Sequence, residues 1–106
     1  MTYDLIITAK KITGKCPVYK ENWKTVICGP HIDLEKSDAA CIHALSCLST
    51  FSVALRDGIP PSSVGLAKEG KEEVAYFQCL DPGPPYTDGG TVLFEVKRVL
   101  CDGKEK

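Results

Sequence analysis

The sequence predicts an α+β domain: a small antiparallel sheet, able to curl into a partial barrel, with one main helix packed on it. Three observations predict it. Four short segments are rich in β-branched, aliphatic or aromatic residues, one stretch has helical periodicity, and clusters of Gly and Pro separate them.

Residues 3–13 read as the first strand, which Gly14 breaks. Cys16-Pro17 then opens a turn, and because the residue before a proline is pushed to extended geometry, Cys16 leaves the ladder. Residues 23–28 form a second strand, led in by a Glu21-Asn22 turn and ended by Gly29-Pro30. The two strands pair as a hairpin whose long loop carries Cys16.

The helix is expected over residues 37–57, capped by Asp33 or Ser37 and stopped by Gly58 and Pro60-Pro61. At about 100° per residue, Cys41, Ala44, Leu45, Leu48, Phe51 and Leu55 share one face. His43, Ser46, Ser49, Thr50 and Asp57 point elsewhere, and Cys47 lies at the edge of the stripe. A polar connection over 59–73 leads to a third strand at 74–80 and a fourth at 91–99. In the fourth, Val92, Phe94 and Val96 alternate with Leu93, Glu95 and Lys97, the pattern of a half-buried antiparallel strand. Between these strands lies an irregular loop over 81–90, with three prolines and three glycines.

With 106 residues the chain makes one domain, large enough for a core without staples, and residues 102–106 read as a frayed tail. A formal net charge of -1 excludes the strong basic excess of a nucleic-acid binder. Lys10, Lys11, Lys15, Lys20 and Lys24 gather near the N-terminus, but Asp4 and Glu21 dilute them into a solvated face. No apolar run approaches the roughly 20 residues that span a bilayer, so no membrane partner is expected.

Six cysteines, at 16, 28, 41, 47, 79 and 101, are a high density for this length. The N-terminal Met1-Thr2-Tyr3-Asp4-Leu5-Ile6-Ile7 lacks the basic and apolar regions of a secretory signal, so the expected compartment is cytoplasmic and the expected thiols reduced. They are then buried hydrophobes, metal or cluster ligands, or redox groups.

On a helix Cys41 and His43 point roughly 200° apart, so one metal takes only one of them. Cys28-Gly29-Pro30-His31 can bring a thiol and an imidazole together, but zinc needs about two more ligands. Cys47 and Cys101 have no local partner and read as packed thiols. Cys16, Cys41 and Cys79 come from three elements that can converge where the helix meets one end of the sheet. Cys-Pro is a familiar ligand context for an iron–sulfur cluster, and zinc with three thiolates fits as well. Cys79 carries Asp81 on its side of the strand, and the loop's Tyr86 is a ligand contact or an aromatic anchor. Asp81 and Asp88 can form a carboxylate pair, although such residues more often set turns. No phosphate loop, dinucleotide fingerprint or His-Glu-x-x-His occurs.

Lys15-Cys16-Pro17-Val18-Tyr19, Cys41-Ile42-His43-Ala44-Leu45 and Gln78-Cys79-Leu80-Asp81-Pro82 resemble the three signature blocks of a family of small prokaryotic proteins of similar length. The family's single domain would cover the whole chain. Glu21-Asn22-Trp23 stands where that family carries Gly-Asp, and Val18-Tyr19 where it can carry Gly-His. The resemblance implies that Cys16, Cys41 and Cys79 are the thiols that matter, and it implies no activity. The expected function is a metal- or iron–sulfur-binding protein with those three ligands and with Asp81 and Tyr86 as ligand contacts. The alternative is a non-catalytic binding or assembly module, a homo-oligomer or the holder of a small-molecule or protein partner, whose cysteines only pack.

Overall fold

A computed structural model describes residues 3–100, and these form one open five-stranded antiparallel sheet with a single main helix on it. Cys101 and the tail expected at 102–106 lie outside the described residues. The strands are β1 (Tyr3–Thr13), β2 (Lys24–Cys28), β3 (His31–Ile32), β4 (Val74–Gln78) and β5 (Thr91–Leu100), in the spatial order β3-β2-β1-β5-β4. The β1–β2 and β4–β5 neighbours are those the sequence implies. The two long strands, β1 and β5, pair at the centre. With β3 and β4 at its edges the sheet stays open and does not close into a partial barrel.

Period-two alternation builds the core. Leu5, Ile7 and Ala9 of β1, Val92, Phe94 and Val96 of β5, and Ala75 and Phe77 of β4 all face the helix and are buried. Phe94 is stacked on Phe77 at 4.9 Å and meets Tyr19 edge-on at 5.2 Å. From the helix α1 (Ile42–Arg56), Ala44, Leu48 and Leu55 complete this core. The opposite face carries polar and charged groups, including a Lys10–Glu95 ion pair of 3.5 Å.

The helix is shorter at its N-terminus than the expected 37–57. Residues 37–39 are diverted to the open flank of β2, where its backbone needs partners. Ser37 Oγ accepts the Val26 N–H at 2.8 Å and donates to the Asp33 carbonyl, while the Asp38 and Ala39 N–H groups both donate to the Lys24 carbonyl. Asp33 instead accepts from the Glu35 and Lys36 N–H groups and sets a separate turn. Neither expected cap serves α1, whose N-cap is Cys41 in an extended conformation.

Its far end stops as expected. Gly58, at φ +92°, donates its N–H to Leu55 while the Ile59 N–H reaches back to Ala54, a paired closure that satisfies two last-turn carbonyls. Arg98 of β5 then donates to the Leu55 and Ile59 carbonyls at 3.3 and 2.9 Å, tying the helix end to the sheet. Within the connection that follows, a 3-10 turn over Pro61–Val64 forms where only a polar loop was expected.

Candidate functional site

Three thiols from three distant segments line one cavity of about 430 Å³ beside the N-terminus of α1. They are Cys16 from the β1–β2 loop, Cys41 from the helix N-cap and Cys79 from the segment just after β4. His43 and Asp81 line the same space, and the backbones of Gly89 and Gly90 close part of its wall.

Each thiol is placed by backbone chemistry. Cys16 leaves β1 as its following proline dictates, and its Sγ accepts the Tyr19 N–H at 3.3 Å. Cys79 still donates its N–H to the Val92 carbonyl at 2.9 Å, extending the β4–β5 ladder by one residue. Its Sγ accepts the Asp81 N–H at 3.5 Å. Cys41 donates its own N–H to the Tyr19 hydroxyl at 3.3 Å, so one tyrosine holds the backbone beside two of the thiols. That hydroxyl also bonds Thr25 Oγ1 at 2.7 Å, which in turn donates to the Ala39 carbonyl. Burial pushes the Tyr19 phenol above its ordinary value, while its bonds to Thr25 and Cys41 act in the opposite direction.

The Gly-rich loop is the second half of the enclosure. Asp81 Oδ1 accepts the Gly83 N–H at 2.8 Å and the Thr87 hydroxyl at 2.5 Å, which folds the loop back on itself. Those two bonds, with the charge of His43 added, hold the Asp81 carboxyl below its ordinary range. A side chain at Gly89 would run into the Asp81 carboxylate, and one at Gly90 would meet the backbone of Lys15 and Cys16 at 2.6–2.8 Å. The glycines therefore let the two loops touch. Asp81 both sets this turn and faces the cavity, whereas Asp88 belongs to a neighbouring open hollow with Lys15 and Tyr19.

His43 corrects a helical-wheel argument. On a continuous helix Cys41 and His43 point apart, but α1 begins at Ile42 and Cys41 is extended at φ -108° and ψ 127°. Both residues line the cavity. No periodicity in the sequence marks this, because only the diversion of residues 37–39 to β2 puts the helix start there.

Other expected residues lie elsewhere. Tyr86 is 80% exposed and is not part of the cavity wall. Cys28 and His31 face each other as a paired position of the β2–β3 hairpin, and Cys28 Sγ donates to Asp4 at 3.7 Å. Cys47 is half-buried against the core. The five described cysteines are free thiols. Among the described residues no three His, Cys, Asp or Glu side chains are grouped, as placed, to hold a metal ion, and no helix is long and apolar enough to cross a membrane. Comparison of the chain with family models, curated proteins and solved structures finds no match.

Proposed function

We propose that this protein holds a thiolate-ligated metal centre, an iron–sulfur cluster or zinc, through Cys16, Cys41 and Cys79. One observation carries the reading: these three thiols, from segments far apart in sequence, line a single cavity. Had they lain on different sides of the core, no shared ligand could exist. The side chains are not gathered around one point as they stand, and binding requires them to turn inward. Cysteine has a single side-chain torsion with three staggered wells, so such a turn changes one rotamer per residue. Zinc with bonds of about 2.3 Å to sulfur needs sulfurs within roughly 4.6 Å of one another, whereas a cluster bridges a wider gap with less movement.

One further feature of the cavity suits a thiolate centre. Carboxylate and imidazole side chains stand beside the thiols to complete or support coordination. The competing reading, a binding or assembly module with packed thiols, draws on the contact of Cys16, Cys41 and Cys79 with the core cluster.

Protein purified without oxygen and analysed for iron, zinc and acid-labile sulfide tests the proposal. Near-stoichiometric metal, lost when the three cysteines are replaced by serine, is the expected result. Metal-free protein that also fails to take up iron with sulfide, or zinc, during anaerobic reconstitution would refute it.

A further inference from the structure

We propose that the face of the sheet turned away from α1 docks an acidic, amphipathic segment of a partner protein. The fold sorts the lysines that the sequence gathers near the N-terminus. Lys20 lies over the Trp23 ring at 5.5 Å, and Lys15 lines the open hollow that it shares with Asp88. Lys10, Lys11 and Lys24 go instead to the outer face, and a β-bulge puts two of them there. Ala9 pairs with Phe94 and Lys11 with Leu93, so Lys10 is an extra residue in β1. Ala9 and Phe94 are buried beneath the helix, and strict alternation from Ala9 would send Lys11 to the core. The bulge turns both lysines outward. Lys97 of β5, paired with Ile6 on one side and Val74 on the other, adds a fourth cation.

Contacts between side chains define the same face. Lys24, Thr8, Glu95 and Tyr76 form one row across four strands. Lys10 pairs with Glu95 at 3.5 Å, and the Tyr76 hydroxyl donates to Glu95 at 3.4 Å. Among the described residues, the outward strand positions hold four lysines against two carboxylates, Asp4 and Glu95. The whole chain has a formal net charge of -1, so the rest of the molecule carries the acidic excess. Apolar groups lie between the lysines: Ile6, Val74 and Leu93 are half-buried, and Val99 is 46% exposed.

Charge chooses the occupant. Two copies joined through this face would set lysines against lysines, with too few carboxylates to offset them. A nucleic-acid strand would find a single aromatic side chain, Tyr76 at 36% exposure, in place of a stacking platform, and would meet Asp4 and Glu95. A segment that alternates carboxylates with apolar side chains complements both the lysines and the groups between them. Strand addition at the edges is opposed, because the flanks are already engaged. Ser37 takes the Val26 N–H and Asp38 donates to the Lys24 carbonyl on one side, and the Tyr76 N–H donates to Leu66 on the other. The open face is what remains for a partner.

A fluorescein-labelled synthetic peptide of Glu interspersed with Leu serves as the probe, read by anisotropy at low and at physiological salt. The same peptide with Lys for Glu, and a thymidine oligonucleotide, are run beside it. Lys24→Glu with Lys97→Glu alters the face, Lys68→Glu with Lys71→Glu alters the loop before β4, and circular dichroism confirms folding of both. The acidic peptide is expected to bind the wild type and to weaken as salt rises, since exposed charges are screened beyond about 8 Å at physiological ionic strength. The face variant should lose at least about tenfold in affinity, and the loop variant should match the wild type. Amide NMR shifts in the wild type should fall on Thr8, Leu93 and Glu95 and spare α1, a readout that does not depend on any variant folding. No binding of the acidic peptide, equal affinity in the face variant, or shifts confined to the helix side overturns the proposal. Tighter binding of the oligonucleotide or of the Lys peptide overturns the acidic protein partner.

Discussion

Gly90 and Cys16 meet backbone to backbone. A methyl group placed on Gly90 would stand 2.8 Å from the Cys16 amide nitrogen and 2.6 Å from the Lys15 carbonyl carbon. Neither neighbour is a flexible side-chain end, so the loop that follows Cys79 must be forced away from the loop that carries Cys16. This contact brings thiols 63 positions apart in the chain to one cavity. Gly90→Ala is expected to destabilise the fold by about 1–3 kcal/mol, the range of overpacking at a tight site. It should also raise the alkylation rate of Cys16 in the folded protein. Denaturant midpoints and thiol mass mapping check both effects.

Tyr19 is the second link between the loops and the helix. Its hydroxyl receives the Cys41 N–H and bonds Thr25. Tyr19→Phe leaves the Cys41 N–H without that partner, while Thr25 keeps its bond to the Ala39 carbonyl, and the loss costs about 1–3 kcal/mol. The phenol's raised value adds a pH signature. With the folded value above the unfolded one, near 10, stability is fully present below pH 10 and is lost as pH rises through the folded value. Urea titrations of the wild type and Tyr19→Phe between pH 8 and 11 should show that alkaline loss reduced in the variant.

The Asp81 carboxyl carries the opposite sign. The Thr87 hydroxyl, the Gly83 N–H and the charge of His43 hold it below its ordinary range. Its stabilisation is present above the unfolded value, near 4, and is lost as pH falls through the folded one. Asn at this position keeps an accepting oxygen but does not titrate. Asp81→Asn is expected to lower stability at pH 7 and to flatten the decline below pH 4, as read by thermal melts across that range.

Phe94 tests the packing beneath the site. It is fully buried between Phe77 and Tyr19, and its truncation leaves a large void under the loop that holds Cys16. Phe94→Ala is expected to cost about 3–5 kcal/mol in a calorimetric or denaturant measurement.

Where the sequence was readable, one element carried its own signal. The alternation of Val92, Phe94 and Val96 marked β5 and its buried face, and Gly58 with the two prolines after it marked the helix end. The helix start was not readable in the same way. Ser37 and Asp33 are good caps by type, but both are consumed by tertiary bonds around β2, and periodicity cannot register such competition. The two-residue β3 is likewise too short to leave a pattern.

The candidate site divides along the same line. That Cys16, Cys41 and Cys79 belong to three elements, and that Asp81 stands with Cys79, follows from spacing and strand geometry. His43 was set aside on a helical wheel that assumed residues 37–57, and the observed start at Ile42 removes that assumption. Tyr86 fails for a related reason. Asp81 folds the loop so that its glycines, and not its aromatic ring, face inward.

If Cys16, Cys41 and Cys79 act together on one bound centre, metal loading must protect those three thiols and leave the others as they were. Protein reconstituted anaerobically with iron and sulfide, or with zinc, is alkylated in the folded state, and each cysteine's labelling is read by peptide mass spectrometry. Labelling of those three is expected to fall together with metal loading, while Cys28 and Cys47 label as they do in the metal-free protein. Protection of Cys28 or Cys47 instead, or of none of the five, would contradict it.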